Sequence, residues 1–429
     1  MVSMQKNIKR SFALIAVILV AVLGVNYLMD QIKQEANELA ELHRQDTINS
    51  LKGQLEKEFF TSEKWPTDLA ADDESFKVEY TQNEELTDYI KKLLKRYRSD
   101  YSAVIVIDNE TGHILSAVGY ERTANGFKNS LAFSTTHPSA SLFKIVTSAE
   151  LLENGQVDPS DVFNYRGRGT TLYRYQLNDK KNRWTRSVTF SKAFAYSNNV
   201  VFAKAAIKNT NENNIFKMAV DFGFNKNIMA DLELGKSTFL LPEDDYNLAE
   251  FASGFNKKTQ ISPVHAAVLS SVVANGGKLI YPTLIKSITD SSGEEYWSPD
   301  TIVGDVISSK TAAEISEMMQ MTVSRGTARG GFRGLDRSLR NRLYIGGKTG
   351  SITGGVPFGK RDWFTSFAVP KSGMSSGISI SVMNVNKKKW YVKSTFLARK
   401  VIEYYFKKID PSGLKLSEEK TNLRVIDGT

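Results

Sequence analysis

The chain begins with an apolar run that is long enough to cross a membrane. Residues 11–29 form 19 consecutive positions without a charged side chain, which matches the hydrocarbon core of a bilayer. Basic residues precede this run and Asp30 follows it, so the positive-inside rule places residues 1–10 in the cytoplasm. A cleaved signal peptide is the alternative, but no small-x-small cleavage site follows Gly24. We therefore expect a single-pass anchor in the cytoplasmic (inner) membrane, with the main domain extracytoplasmic or periplasmic.

Residues 30–75 have the pattern of a helical stalk or linker. Apolar side chains recur there at steps of three and four, namely at Ile32, Ala36, Leu39, Ile48, Leu51 and Leu55. This spacing predicts one amphipathic helix, and a short coiled coil that joins two copies of the chain is the alternative. The register slips near His43, which favours the single helix, and Trp65-Pro66 predicts its end.

From residue 76 to 410 the pattern changes between strand and helix, as in a mixed domain. Residues 103–108 and 113–118 are rich in strand-forming residues and flank a turn, which predicts a hairpin. The sequence is mostly helical from 141 to about 275. It then predicts three strands at residues 344–351, 362–370 and 377–385. A final amphipathic helix follows to cover the sheet, and residues 411–429 form a polar C-terminal tail.

Composition narrows the chemistry that this domain can use. The chain has 429 residues and no cysteine, which excludes a disulfide frame, a thiol nucleophile and a cysteine metal site. The four histidines are scattered without the spacing of paired ligands. We therefore expect neither a metal nor a cofactor.

The net charge of +9 comes largely from two basic stretches. Residues 166–192 carry eight basic side chains against Asp179 alone, and residues 325–342 carry six arginines against Asp336 alone. For an extracytoplasmic domain we expect no nucleic acid partner, and an anionic wall polymer or the lipid surface fits better. The alternative is that both stretches are solvated faces without a partner.

A serine and a lysine lie three residues apart at the start of a predicted helix, in the segment Ser139-Ala-Ser141-Leu-Phe-Lys144. Three residues on a helix are about 300° of rotation and ~4.5 Å of rise, so the two side chains share one face. A lysine can serve as the base for a serine nucleophile if its pKa falls from ~10.4 towards ~7. Burial at the positive end of a helix acts in that direction. Ser141 is therefore a candidate nucleophile and Lys144 its candidate base.

Two other serine motifs are weaker candidates. Ser412-Gly-Leu-Lys415 repeats the serine–lysine spacing, but it lies in the polar tail. Residues 373–377 spell Gly-x-Ser-x-Gly, the nucleophile-elbow pattern, yet an elbow leads into a helix and this turn leads into a predicted strand. We discount both motifs.

Two further segments bear on the chemistry. Ser197-Asn198-Asn199 has apolar residues on both sides, which predicts a polar site between two buried helices, with a helix cap as the alternative. Lys348-Thr349-Gly350-Ser351 lies on a predicted strand next to further glycines. Glycines in a strand often mark the close approach of another group to the backbone.

These three segments, in this order, closely resemble the transpeptidase domain of penicillin-binding proteins, a serine acyltransferase family related to serine β-lactamases. The likeness covers roughly residues 76–410 and includes Ser253-Gly254, Ser262-Pro263, residues 326–329 and residues 362–364. It implies an α+β fold in which a five-stranded antiparallel sheet is flanked by helices. It also implies an all-helical subdomain that holds Ser197, with the site where the two parts meet.

The resemblance implies four catalytic residues. Ser141 attacks the penultimate D-alanine carbonyl of a peptidoglycan stem peptide and forms an acyl-enzyme, while Lys144 takes its proton. Ser197 passes a proton towards the departing D-alanine, helped by the positive charge of Lys348. That charge is also expected to keep Lys144 neutral. An amine from a neighbouring stem peptide then takes the acyl group.

The resemblance also implies four substrate-binding residues. Asn199 holds the amide backbone of the substrate, and the hydroxyls of Thr349 and Ser351 hold its terminal carboxylate. Gly350 is the glycine of the Lys348-Thr349-Gly350 motif. The backbone N–H groups of Ser141 and Ser351 bind the oxyanion. β-Lactams are the expected inhibitors, and other cell-wall enzymes are candidate partners.

Several alternatives stay open within this interpretation. A D,D-carboxypeptidase or a β-lactamase of the same fold would deacylate with water, although residues 161–186 show no carboxylate placed as a deacylation base. A non-catalytic β-lactam sensor or scaffold is a further alternative. Residues 30–75 are too short for a glycosyltransferase domain, and the N-terminal pedestal of some family members is missing. The basic segment 174–186 replaces an expected Pro/Asn-bearing loop, which leaves the substrate preference open.

Overall fold

The structure, a computed structural model, describes residues 2–61, 65–123, 126–128, 130–373 and 375–411. The helices are α1 (Val2–Thr61), α2 (Glu84–Tyr97), α3 (Ser130–Phe133), α4 (Lys144–Glu153), α5 (Phe190–Ala195), α6 (Asn199–Asn209), α7 (Glu212–Asp221), α8 (Asp245–Ser253), α9 (Pro263–Ala274), α10 (Ser309–Ser324), α11 (Arg329–Phe332), α12 (Arg337–Arg342) and α13 (Ser394–Tyr404). The strands are β1 (Asp68–Ala71), β2 (Glu74–Tyr80), β3 (Tyr101–Asp108), β4 (Ile114–Glu121), β5 (Gly126–Phe127), β6 (His137–Pro138), β7 (Val162–Tyr165), β8 (Arg186–Thr189), β9 (Gln260–Ile261), β10 (Lys278–Ile280), β11 (Ile285–Thr289), β12 (Glu295–Trp297), β13 (Val303–Asp305), β14 (Leu343–Gly354), β15 (Gly359–Pro370) and β16 (Ile378–Asn386). Short 3₁₀ turns occur at Ala140–Phe143 and Arg174–Leu177, and a π turn at Tyr405–Ile409.

The largest sheet has the strand order β14-β15-β16-β3-β4-β5 and is antiparallel throughout. The predicted five-stranded sheet is confirmed, and a sixth strand of two residues, β5, is added at one edge. Alternate residues of β3 face opposite cores: Ile105 packs with α9, whereas Val104 and Val106 pack with α2 and α13. Burial on both faces explains why this strand is a continuous apolar run rather than an alternating one.

Helices α4–α8 form the subdomain that lies against the outer strand β14. Nine of the ten residues of α4 are buried, and an aromatic cluster packs beneath it, with Phe143 and Phe239 stacked at 4.6 Å between ring centroids. The subdomain is not wholly helical, because the two-stranded hairpin of β7 and β8 is inserted between α4 and α5. Ser197 lies in this subdomain, between α5 and α6.

Helix α1 runs without a break from the apolar N-terminal run to the mixed domain. Its described side chains are exposed up to Asp46, and this part contains an apolar segment long enough to cross a membrane. From Thr47 onward one face of the helix is buried, and Leu51 and Leu55 join the main core. The periodicity of residues 48–55 is thus explained by packing on the same chain, while Ile32 and Leu39 are exposed.

The first basic stretch forms an arm made of β7, β8 and the residues between them. Three of its arginines lie on aromatic rings; Arg174 is 4.2 Å from the ring centroid of Tyr246, and Arg183 is 4.9 Å from that of Trp184. Cation–π contacts therefore order part of this exposed arm. An anionic partner for it stays a prediction.

The two discounted serine motifs have no role in the described fold. Ser375 lies in the turn that leads into β16, so no helix follows it as an elbow would need. Ser412 and Lys415 lie outside the described residues.

Candidate active site

The three polar segments meet at a cleft between the helical subdomain and the edge strand β14. The cleft has a volume of about 1040 Å³, and six of the eight predicted site residues line it: Ser141, Ser197, Asn199, Thr349, Gly350 and Ser351. The other two, Lys144 and Lys348, are fully buried directly behind the lining. The fold therefore brings all eight residues together.

Ser141 lies on a 3₁₀ turn, not on the first turn of an α-helix as predicted. The turn spans Ala140–Phe143, and α4 begins at Lys144. Side chains three residues apart eclipse one another on a 3₁₀ turn, which brings this pair together. Lys144 Nζ donates a hydrogen bond to Ser141 Oγ at 2.8 Å.

Lys144 is enclosed by hydrogen-bond acceptors and carbon. Its Nζ also donates to Asn199 Oδ1 at 2.7 Å and to Ser253 O, and it lies 5.5 Å from the ring centroid of Phe202. Burial lowers the pKa of Lys144 well below its ordinary value, and the charge of Lys348 lowers it further. The sequence analysis expected both causes, and burial is the larger of the two. They favour a neutral amine, which would donate to Asn199 Oδ1 and Ser253 O and accept from the Ser141 hydroxyl.

Ser197 occupies the junction between α5 and α6. Asn198 caps α6 by accepting from Val201 N at 3.2 Å, so the predicted cap exists but uses Asn198. Ser197 itself adopts the left-handed conformation, with φ of 56°, which is uncommon outside glycine. This conformation directs its hydroxyl to Lys348, whose Nζ donates to Ser197 Oγ at 2.9 Å.

Lys348 is also fully buried, but its surroundings differ from those of Lys144. Its second hydrogen bond goes to Thr349 O at 2.9 Å, and its Nζ lies 5.5 Å from the ring centroid of Phe194. Burial lowers the pKa of Lys348 to about 7. This lysine is therefore partly charged at neutral pH.

Asn199 is held by hydrogen bonds at both ends of its carboxamide. Its Oδ1 accepts from Lys144, and its Nδ2 donates to Thr170 O at 3.0 Å. A carboxamide nitrogen carries two hydrogens, so one remains for a ligand in the cleft.

The edge strand β14 passes close to the serine turn because Gly350 has no side chain. A Cβ at Gly350 would come within 3.3 Å of the Cβ of Ala140. Beside it, Thr349 and Thr327 share a hydrogen bond of 2.6 Å between their hydroxyls. Ser351 is exposed to the cleft.

The backbone next to Ser141 is strained on the side of the cleft that faces α8. Ala140 is left-handed with φ of 50°, and its carbonyl oxygen occupies the space where a Cβ of Gly254 would be. Gly254 ends α8 in the left-handed conformation, directly after Ser253, which binds Lys144. Such outliers persist where packing fixes them, commonly at functional sites.

Sequence reasoning missed several residues that contact the site. Thr170, Ser253 and Thr327 touch the predicted residues through hydrogen bonds. Ser253 and Thr327 were part of the family resemblance, but no role was assigned to them. The only feature of the sequence that could have drawn attention to Ser253 is the glycine that follows it. Thr170 binds through its backbone carbonyl, which no side-chain pattern can show.

The lining of the cleft is cationic. It contains Lys257, Lys360 and Lys393 against a single carboxylate, Asp362. None of these lysines was predicted. Within the described residues, no group of three or more His, Asp or Glu side chains is placed to hold a metal ion.

Residues 102–402 match the family model of the penicillin binding protein transpeptidase domain. Penicillin-binding protein 3 of Bacillus subtilis (strain 168) is 24% identical over 297 residues, which are 62% of this chain and 42% of that protein. Stage V sporulation protein D of the same organism is 25% identical over 234 residues, which are 52% of this chain and 34% of that protein. The chain thus spans less than half the length of either curated relative.

A solved structure shows the same fold. Penicillin-binding protein A from M. tuberculosis, in a ceftriaxone acyl-enzyme complex, superposes with a TM-score of 0.61 at 20% sequence identity. The superposition covers 76% of this chain and 79% of that chain.

Proposed function

We propose that this chain, which belongs to the penicillin-binding protein transpeptidase domain family, is a membrane-anchored serine D,D-transpeptidase that cross-links peptidoglycan stem peptides. The observation that carries the proposal is the buried Lys144, with its Nζ 2.8 Å from Ser141 Oγ and a pKa well below the ordinary value. A lowered pKa favours the neutral amine, and a serine next to a neutral amine is an activated nucleophile.

Acylation begins at the penultimate D-alanine of the donor stem peptide. Ser141 Oγ forms a bond to the carbonyl carbon, and its proton passes to the neutral Nζ of Lys144. The backbone N–H groups of Ser141 and Ser351 stabilise the oxyanion, and losing one such donor costs about 3 kcal/mol. The C–N bond to the terminal D-alanine then breaks, which leaves the acyl group on Ser141.

Departure of the terminal D-alanine needs a proton on its nitrogen. Ser197 accepts a hydrogen bond from Lys348 and faces the cleft, so it relays to that nitrogen the proton that Lys144 took from Ser141, and the positive form of Lys348 supports the transfer. Lys144 is then neutral again. The free hydrogen of Asn199 Nδ2 holds the substrate amide. The hydroxyls of Thr349 and Ser351 hold the terminal carboxylate, next to the charge of Lys348.

The second half of the reaction returns the enzyme to its starting state. An amine of a neighbouring stem peptide attacks the ester carbonyl and gives up a proton to the neutral Nζ of Lys144, which passes that proton to Ser141 Oγ as the C–O bond to Ser141 breaks. The product is a peptide cross-link. Water in place of the amine would give the D,D-carboxypeptidase reaction.

The same proposal places the enzyme at the cytoplasmic membrane. The apolar part of α1 is the anchor, the residues before it are cytoplasmic, and the cleft is extracytoplasmic, where peptidoglycan lies. The exposed part of α1 from Asp30 to Asp46 would hold the domain about 25 Å from the membrane.

Labelled penicillin tests this function directly. The full chain in detergent is incubated with the drug, digested and mapped by mass spectrometry, with Ser375→Ala as the matched control. We expect a slowly released adduct on Ser141 in both proteins. A label elsewhere, or none, contradicts the site assignment, and rapid release of opened drug favours a β-lactamase.

A donor peptide then separates the remaining alternatives. With a D-alanyl-D-alanine peptide and an added acceptor amine, a transpeptidase forms the cross-linked product, whereas a carboxypeptidase forms only the trimmed peptide. A penicillin adduct without any peptide turnover indicates a sensor or a scaffold.

A further inference from the structure

One end of the cleft holds charged groups that the proposed reaction does not use. Trp390 lies there with an ammonium group on its ring from each of two lysines: Lys393 Nζ is 3.3 Å and Lys360 Nζ is 4.9 Å from the ring centroid. Neither lysine forms an ion pair within the described ranges of the chain. Two like charges that share one indole repel each other, so a bound anion would lower the energy of the pair.

The carboxylate in this part of the lining is already engaged. Asp362 is buried and its Oδ2 accepts from Ser394 N at 2.8 Å, at the N-terminus of α13. A carboxylate in that position is held by the helix end. Burial lowers the pKa of Lys393, the charge of Asp362 raises it, and the charge of Lys360 lowers it. Two lysines and a single carboxylate line this end of the cleft, which leaves an excess of positive charge there.

The register of the sheet relates this pair to the reacting serine. Ser351 pairs with Asp362, and Thr353 pairs with Lys360, so these side chains lie on one face of the sheet. Strand β14 is the sheet edge, and an extended peptide can add to such an edge. From Ser351 to Thr353 is about 7 Å along the strand, which is two residues of an extended peptide.

We propose that Lys360, Lys393 and Trp390 form an anion subsite for a free carboxylate on the donor peptide, two residues before the D-amino acid that acylates Ser141. The proposal rests on the proposed function and narrows its substrate class to acidic stem peptides. The peptide runs antiparallel to β14, so residues ahead of the reacting carbonyl extend from Ser351 towards Thr353. The ammonium groups bind the carboxylate, and the indole face packs against the side-chain carbons.

A pair of synthetic thioesters tests the subsite. Acetyl-Glu-Ala-D-alanyl thioglycolate and its Gln analogue differ by one carboxylate, and each acylates Ser141 when the C–S bond breaks and the thiolate leaves. We expect the full chain in detergent to prefer the Glu compound by about tenfold in kcat/KM, mostly through KM. That preference falls as salt rises, because the ion pairs are partly exposed.

The variant Lys360→Gln/Lys393→Gln should bring the ratio of the two thioesters close to one. Lys371→Gln is the matched control, since Lys371 also lies on an aromatic ring, 5.1 Å from the ring centroid of Tyr344, but does not line the cleft. The control should keep the preference. Equal rates in the unaltered chain, an unchanged ratio in the double variant, or an equal loss in the control would each overturn the subsite.

Failure of the proposed function gives a different result. A chain that forms no adduct with penicillin and releases no thiolate from either thioester contradicts the function and, with it, the subsite. A chain that forms the adduct on Ser141 but does not distinguish Glu from Gln contradicts the subsite alone.

Discussion

The site contains two serine–lysine pairs of nearly equal geometry that face each other across the cleft. Lys144 Nζ lies 2.8 Å from Ser141 Oγ, and Lys348 Nζ lies 2.9 Å from Ser197 Oγ, with both lysines fully buried. Burial lowers the pKa of both lysines, to about 7 for Lys348 and well below the ordinary value for Lys144, where the charge of Lys348 lowers it further. The two pairs thus share one serine–lysine distance but differ in their surroundings, and we propose that the surroundings make Lys144 a base and Lys348 a cation.

The two pairs also differ in how the chain assembles them. Ser141 and Lys144 are three residues apart, so a single turn of backbone fixes their contact. Ser197 and Lys348 come from the helical subdomain and the sheet, so their contact depends on how those two parts pack. Substitutions at the two pairs should therefore impair different steps of the proposed reaction.

Removing each serine hydroxyl should give the largest contrast. Ser141→Ala abolishes the penicillin adduct, because among the described residues no other hydroxyl forms a hydrogen bond with Lys144. Ser197→Ala still forms the adduct on Ser141, slower by about 10²-fold, since only proton relay is lost. Intact-mass measurements over time would show both results. A full-rate adduct in Ser141→Ala would contradict the difference between the pairs.

Replacing each lysine by methionine should separate the base from the cation. Lys144→Met removes the general base and should slow acylation by about 10³–10⁴-fold. Lys348→Met removes a supporting charge and should slow it by about 10²-fold. Rate constants for penicillin acylation measure both, and the reverse order of effects would mean that the roles are exchanged.

The pH dependence of the acylation rate should follow the protonation state of Lys348. Its positive form is present below the pKa of about 7 and is lost above it, so the rate falls as pH rises through that value. Lys348→Arg keeps its charge throughout this range and should remove the alkaline limb. The measurement is the acylation rate constant from pH 5 to 9 in both proteins. An identical alkaline limb in the variant would assign it to another group.

The smallest expected effect is on stability. Lys348 binds a proton more weakly in the folded chain than in the unfolded chain, whose lysines titrate near 10.4. The resulting cost is fully present below about pH 7 and disappears as pH rises towards 10.4; it amounts to about 5 kcal/mol at most. Lys348→Met should therefore raise the melting temperature at pH 6 by several degrees and by less at pH 9. A melting temperature lowered equally at both pH values would point to lost packing instead.

The sequence predicted the parts of the site that local pattern controls. The Ser141–Lys144 pair follows from spacing, and the apolar run of β3 follows from burial on both faces of the sheet. The conformation of the serine turn did not follow, because the left-handed Ala140 is imposed by packing against Gly254. The contact between Ser197 and Lys348 needed the family resemblance as well as the residues.

Features that long-range packing creates could not be predicted from the sequence. Lys360 and Lys393 meet on Trp390 only because strand β15 and the start of α13 lie side by side. Likewise, the helical pattern in residues 48–55 is satisfied by the mixed domain of the same chain, a contact that no local window contains. Predicting either one requires knowing which elements are neighbours.

The protonation state of Lys144 tests the central claim most directly. Nitrogen-15 NMR of the full chain labelled at lysine Nζ, with the Lys144 signal assigned by its loss in Lys144→Arg, measures that state at pH 7. The proposed mechanism predicts a neutral amine at Lys144. An ammonium signal at that position would contradict its role as the base for Ser141.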